Sequence, residues 1–320
     1  MSELVIDEPG SYLGVRKGLF YVKTRDGMRS EVAPVELAHI SIRCRGVGVS
    51  ADALRLACKF GVEITVYSRG RPVGKVLTAL SGGGVLTRRA QLEAWQTERG
   101  LSVAKAIVYA KLHNQRLVLR QRGRELASKG LRVGVEVEML ADKIRGVMGL
   151  LEGAGSLDSV RAYEAQGAVS YWRGVGLLLP SELGFSGRTS WSPSDPFNKA
   201  LNIGYGVLRS RVWSAVLSAN LDPFVGFLHL PRGRHMCLVS DLMEEFRPGV
   251  VDRPLISLAV ENSGAFLDDK LFERNVLKAV VQALQRNDGF YERAVVEQAR
   301  RLASFLRGGV ERYEGFRMRW

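Results

Sequence analysis

Four consecutive small residues, Ser81-Gly82-Gly83-Gly84, separate two stretches of different hydrophobic period. Such a run is a flexible linker, and no single sheet or helix bundle continues through it. Upstream, the pattern alternates. Leu19 to Thr24 reads as a strand, Arg25-Asp26-Gly27 as a hairpin turn, and Glu31 to Pro34 and Ile40 to Arg43 as further strands. Ser50 then caps one helix over 51–60, which Gly61 ends. Residues 62–67 return to strand, and Gly70-Arg71-Pro72 turns toward another at 73–77. Downstream, the period lengthens to that of helices, expected at 86–98, 101–128, 135–148, 157–173, 197–219, 239–246, 253–260, 272–287 and 290–306. The expected fold class is α+β: a small β-rich domain with one helix (1–80), a linker (81–85), and an all-α domain (86–320). Gly46-Val-Gly48-Val-Ser-Ala51 fits the loose glycine pattern of dinucleotide folds, but its surroundings read as hairpins, so it is taken as a strand-to-helix turn. The last residues, 316–320, read as a short basic tail, free to move.

Charge narrows the partners. The chain has 320 residues, with 46 Lys and Arg against 33 Asp and Glu, a formal excess of +13. Such an excess favours a polyanion, nucleic acid before a membrane surface. It is uneven. Residues 85–132 hold eight arginines and three lysines against three glutamates, and Arg116, Arg120 and Arg124 recur every four residues on one helix face. That face contacts phosphate or is simply solvated. The three cysteines, Cys44, Cys58 and Cys237, are odd in number and scattered. They point away from a disulfide framework and toward a reducing compartment, and with no Cys-x-x-Cys pair a thiolate zinc site is disfavoured. No apolar run is long enough to span a membrane, and the acidic start lacks a signal core. A cytoplasmic protein is expected.

The chemistry gathers in a few acidic and imidazole side chains. Glu164 lies inside the apolar stripe Leu157, Val160, Ala168 and Tyr171. A carboxylate facing the core needs an arginine, a proton or a metal ion, and an internal salt bridge serves as well as an ion. Asp195 before Pro196 starts a long helix, which stops near Asn220 because Asp222-Pro223 follows. A loop then delivers His229, and a helix carries Asp241, Glu244 and Glu245 at i, i+3 and i+4 before Pro248-Gly249 ends it. Three carboxylates on one face imply either a nearby cation or solvent. Two carboxylates with one imidazole suit Mg²⁺ or Mn²⁺, leaving positions for water and phosphate. His39, His113 and His235 lack acidic company in the sequence and read as structural or surface residues.

Four stretches together resemble a known family, the CRISPR-associated endonuclease/integrase of the spacer-adaptation module. They are Glu164-Ala-Gln-Gly-Ala168-Val-Ser-Tyr171-Trp172, Asn198-Lys-Ala-Leu-Asn202-Ile-Gly204-Tyr205-Gly-Val-Leu, Leu221-Asp222-Pro223-Phe-Val-Gly226-Phe-Leu-His229, and Ser240-Asp241-Leu242-Met-Glu244-Glu245-Phe246-Arg247-Pro248. Ala165 stands where glycine is commoner and Ile203 where tyrosine or leucine is. The resemblance implies metal ligands at Glu164, His229 and Glu244, with Asp241 as a supporting acid and Mg²⁺ or Mn²⁺ as cofactor. It implies a homodimer, with contacts through the strand-rich domain. It also implies double-stranded or branched DNA (CRISPR repeat and protospacer) as substrate, and a small second CRISPR-associated adaptation protein as partner. The reaction implied is phosphoryl transfer that inserts spacer DNA into the repeat array. Two other readings stay open: a non-catalytic, basic DNA-binding scaffold in which Glu164 is only salt-bridged, and an RNA-directed hydrolase.

Overall fold

The computed structural model describes residues 2–27, 29–68, 71–76, 84–230, 233 and 235–319. The chain forms two compact units, Met1–Gly82 and Gly83–Trp320. Gly70, Leu77, the first three residues of the glycine-rich break, Pro231, Arg232, Arg234 and Trp320 lie outside the described residues.

The first unit contains two four-stranded sheets. One is built from β2 (Tyr12–Arg16), β3 (Leu19–Lys23) and β4 (Arg29–Val32), antiparallel in the order β4-β3-β2, with β6 (Gly48–Val49) alongside β2. The other has the order β1 (Ser2–Ile6), β5 (Leu37–Ile42), β7 (Glu63–Ser68), β8 (Arg71–Val76). In it β1, β5 and β7 run parallel, and only β8 reverses. The helix α1 (Ala51–Phe60) lies on the path from β5 to β7, so this part of the unit is a crossover and not a hairpin: parallel neighbours cannot be joined by a tight turn. The hairpin reading is corrected there. The glycine pattern is still a turn into a helix, with Ser50 Oγ accepting from the Ala53 N–H at 3.1 Å. The core of this unit packs Ala53 and Ala57 of α1 with Ile6, Leu13, Phe20, Ile40 and Ile64.

The second unit is helical. Its long members are α2 (Gly84–Ala94), α3 (Glu98–Ser128), α4 (Arg132–Leu151), α5 (Leu157–Leu178) and α6 (Pro196–Ser218), followed by α7 (Cys237–Arg247), α8 (Arg253–Glu261), α9 (Gly264–Leu267) and α10 (Phe272–Leu306). Asp195 caps α6 as expected, accepting from the Asn198 N–H at 2.8 Å. Some helix ends differ from the sequence reading. The first helix stops at Ala94 rather than running to 98, because Gln96 takes a left-handed backbone (φ 60). Pro248 ends the α-helical geometry of α7 at Arg247, but not the helical path. The chain passes through a π-turn, Pro248–Asp252, directly into α8. Proline has no N–H to give the carbonyl one turn back, and the wider turn absorbs that missing bond. In α10, by contrast, residues 286–289 leave helical geometry, three of them left-handed, so the expected break is real.

Helix α3 is the hub. Leu112 and Leu119, both fully buried, lie one heptad apart on it and face Gly167 and Gly174, one heptad apart on α5. A Cβ at Gly167 would overlap the Leu112 side chain, and one at Gly174 would come within 2.7 Å of Leu119. The two helices therefore approach more closely than side chains on both would allow. The tail, expected to be free, packs on the helical unit. Asn114 of α3 donates to the Phe316 carbonyl (2.9 Å) and accepts from the Met318 N–H (2.8 Å), while Phe316 stacks on Phe246. Aromatic burial against α7 anchors it, an interaction that its basic residues conceal in the sequence.

Candidate metal centre

The histidine loop is built before its histidine is. Gln91, fully buried on α2, accepts from the Asp222 N–H (2.8 Å) and donates to the carbonyls of Asp222 (3.0 Å) and Val225 (2.7 Å). Arg161 of α5 holds the Leu228 carbonyl. Asp241 of α7 then receives the N–H groups of Phe227 (2.6 Å), Leu228 (2.9 Å) and His229 (2.9 Å). Gly226 is required for this wrap: a Cβ there would lie 2.7 Å from Cys237 and 2.8 Å from the Asp241 carboxylate. The same carboxylate takes His229 Nδ1 at 2.6 Å. That pairing puts the ring proton on Nδ1 and leaves Nε2 as the lone-pair nitrogen, the usual arrangement behind a metal-binding histidine. Burial would lower the His229 pKa, but the hydrogen bond and charge of Asp241, with help from Glu244, raise it above its ordinary value.

The three acids of α7 do not share a solvent face. Asp241, Glu244 and Glu245 are all buried, and each points to a different partner. Glu245 receives the Tyr313 hydroxyl and the Phe316 N–H, each at 2.6 Å, and burial pushes its carboxyl up to about 8 despite them. Glu244 faces cations. Arg247 lies 2.8 Å from its Oε1 and Lys111 Nζ 2.7 Å from its Oε2. Burial opposes its charge, but Arg247, Lys111 and His229 together bring its pKa down to about 2.

Lys111 also pairs with Glu164 Oε1. Its side chain is only 10 % exposed, and Glu164 is the more open partner at 25 %. Burial would lower the lysine's pKa, yet Glu244 and Glu164 raise it. Carboxylates from α5 and α7 thus converge on one cation carried by α3. Oε2 of Glu244 has a charge partner but no aligned hydrogen bond.

Glu164 and Glu244 are therefore brought together, as is Asp241 with His229. Among the described residues, no three of His, Cys, Asp and Glu form a ready-made ion-binding group. His229 feels the charge of Glu244 but is not gathered with both glutamates around one point. The donor set fits a divalent cation by chemistry: two carboxylates, one with a buried unaligned oxygen, and an imidazole oriented by an acid behind it.

Around this core stands a second buried network. Asp252 accepts from the hydroxyls of Tyr171 (2.9 Å) and Tyr205 (2.7 Å), and burial raises its pKa to about 6. The guanidinium groups of Arg247 and Arg188 lie 4.8 Å and 5.3 Å from the Tyr205 ring centre. Tyr171 and Tyr205 thus tie the Glu164 helix and α6 to the arginine that holds Glu244. Arg116, Arg120 and Arg124 of α3 do form one basic face. Burial and then the charges of Arg120 and the neighbouring Arg145 lower the Arg116 pKa, while Arg124 lies 3.7 Å from Glu138.

Lys111, Gln91, Asn114, Arg247 and Asp252 were not singled out by sequence. The available signal was polarity inside an apolar stripe: Lys111 stands four residues after Ile107 among buried neighbours. His235 is not isolated either. It contacts Ser240 at 3.1 Å and its ring centre lies 6.3 Å from that of His229. His39 has Glu63 at 3.7 Å, and His113 faces the Met318 carbonyl at 3.3 Å.

The chain thus joins a strand-rich unit to a helical unit in which Glu164 and Glu244 meet on Lys111 and Asp241 holds His229. The family model described as CRISPR associated protein Cas1 matches residues 4–283. A relative named CRISPR-associated endonuclease Cas1 1, from Saccharolobus solfataricus, is 36 % identical, covering 94 % of this chain and 80 % of its own. Among solved structures, a casposase bound to integration product has the same fold, with a TM-score of 0.77 at 22 % identity, over 98 % of this chain and 93 % of its own. A Cas6-RT-Cas1–Cas2 complex matches at a TM-score of 0.78 and 20 % identity, covering all of this chain and 36 % of the larger one. The chain belongs to the Cas1 family of CRISPR-associated proteins.

Proposed function

We propose that this chain is a divalent-metal-dependent DNA endonuclease and integrase of CRISPR spacer adaptation, with Glu164, His229 and Glu244 as its ion ligands. The observation that carries this reading is the convergence of Glu164 and Glu244 on one cation, beside a histidine whose Nδ1 is fixed by Asp241. A bound Mg²⁺ or Mn²⁺ supplies Lewis acidity to a phosphodiester oxygen and stabilises charge that builds there. This chain's own groups do the rest. Asp241 holds the His229 ring, and Arg247 keeps Glu244 ionised at 2.8 Å. The Arg116, Arg120 and Arg124 face holds phosphates without reading sequence. The chain offers no covalent nucleophile in this scheme: the attacking group is a DNA 3′-hydroxyl in integration and water in cleavage.

The partners follow the same reading. They are double-stranded or branched DNA, including repeat and protospacer, and a second copy of the chain joined through the strand-rich unit. The small second CRISPR-associated adaptation protein completes the set, Cas2 being named in one complex with the same fold. The proposed setting is the cytoplasm; no described helix is long and apolar enough to cross a membrane. Glu164→Ala and His229→Ala should each abolish Mn²⁺-dependent cleavage of branched DNA while circular dichroism and DNA binding persist. Cleavage at wild-type rate in both variants would remove this site from the reaction. The Lys111–Glu164 pair gives a second reading, a non-catalytic DNA scaffold. It requires that titration calorimetry show no Mn²⁺ uptake at all.

A further inference from the structure

The cation between Glu164 and Glu244 belongs to the chain itself. Lys111 is nearly buried, and its ammonium pairs with one carboxylate from α5 and one from α7. Neither helix is free to open around a second ion. Leu112, the next residue, packs where Gly167 leaves no room for even a Cβ, so α3 and α5 are locked one turn beyond Glu164. Glu244 is equally fixed, because Arg247 grips its other oxygen at 2.8 Å and its own burial is complete. The movable part is the lysine stem, four methylene groups long.

Charge completes the argument. Two carboxylates face Lys111 and Arg247, so the cluster is already neutral without any ion. A divalent ion entering beside a retained ammonium would meet like charge at contact distance, next to a Lys111 side chain only 10 % exposed, where screening is weak. Ion binding and lysine occupancy are therefore mutually exclusive.

We propose that Lys111 is a built-in counter-ion that holds Glu164 and Glu244 together in the ion-free chain and is displaced by the divalent metal. The proposal rests on the metal-centre reading above. It gives the lysine a positioning role: it preserves the carboxylate geometry before loading and sets a threshold that singly charged cations do not overcome.

The full chain is labelled with an amine-reactive ester, ion-free and with Mn²⁺, and modification is read by mass spectrometry against exposed Lys129. Lys111 should be protected without ion and its labelling should rise about tenfold with Mn²⁺, as its ammonium leaves both carboxylates. In parallel, Lys111→Met should lower the melting temperature of the ion-free chain, enlarge the stabilising shift produced by Mn²⁺, and tighten Mn²⁺ binding about tenfold by calorimetry. Lys111→Arg, which restores the charge, should stay near wild type. Labelling of Lys111 that is equal with and without Mn²⁺ overturns the proposal even if the methionine variant does not fold. So does a folded Lys111→Met chain that binds Mn²⁺ no more tightly while Glu164→Gln and His229→Ala lose it. If those two variants bind Mn²⁺ like wild type, the metal-centre reading fails instead.

Discussion

Asp241 and Glu244 are one helical turn apart on α7 and do different work. Asp241 spends its oxygens on the loop, receiving three backbone N–H groups and the His229 ring, whereas Glu244 presents its oxygens to cations. Asp241→Ala should therefore lower Mn²⁺ affinity about 10–100-fold by releasing the imidazole, a loss typical of an acid behind a metal-binding histidine. Calorimetry reads that loss directly, and unchanged affinity would mean that the ring needs no holder. Asp252 makes a different test possible. Its pKa is raised from 3.8 to about 6 in the folded chain by burial. The native state then keeps a proton that the unfolded state has released, so this group's contribution to stability falls as pH rises from 3.8 to about 6. The fall amounts to about 3 kcal/mol. Denaturant melts across that range should show Asp252→Asn losing less stability than wild type, and parallel curves would contradict the burial effect. At this scale the sequence exposes Glu164 and His229, because a carboxylate in an apolar stripe and a histidine in a Pro-Phe-Val-Gly loop are locally unusual. It hides Lys111 and Asp252, whose partners lie 53 and 133 residues from Lys111 and 81 and 47 residues from Asp252.

The site's spacing is set by pairs of elements. Glu164 reaches Lys111 because α5 crosses α3 on glycine, with Gly167 and Gly174 seated against Leu112 and Leu119. Both leucines are fully buried. Gly167→Ala should cost about 1–3 kcal/mol of stability, the usual penalty for overpacking a filled core. It should also weaken Mn²⁺ binding while touching no ligand. A melting temperature and an ion affinity equal to wild type would show that the helices can separate without consequence. The elements themselves were largely readable. Serine and aspartate caps mark the starts of α1 and α6, and apolar periodicity reveals the long helices. Their ends were less so, since a proline alone reads as a stop, whereas at Pro248 the chain continues through a π-turn into α8. The parallel β5–α1–β7 crossover escaped for a related reason: strand direction is decided by pairing between distant segments, not by local pattern.

For the molecule as a whole, the period switch at the glycine run separates sheet from helix in the sequence, and the excess of +13 points to a polyanion. The proposed ion site is legible only as scattered parts, because the residues assigned to it come from α3, α5, the histidine loop and α7. The charge excess can be tested apart from that site. Arg116, Arg120 and Arg124 share a face of α3, but they are not equivalent: Arg124 already has Glu138 at 3.7 Å, and Arg116 is crowded by Arg120 and Arg145. Crowded guanidiniums repel one another in the free chain, and a phosphate between them relieves that repulsion. Each phosphate contact adds a slope of about 0.9 to the fall of log affinity with log salt on duplex DNA. Replacing all three arginines with glutamine should therefore reduce the slope by about 2, with Arg124→Gln alone contributing least, because removing it also frees Glu138. Fluorescence anisotropy with an unrelated duplex, from about 50 to 200 mM salt, measures this without catalysis or a metal. A slope unchanged in the triple variant would return this face to plain solvation and move the DNA path elsewhere on the chain.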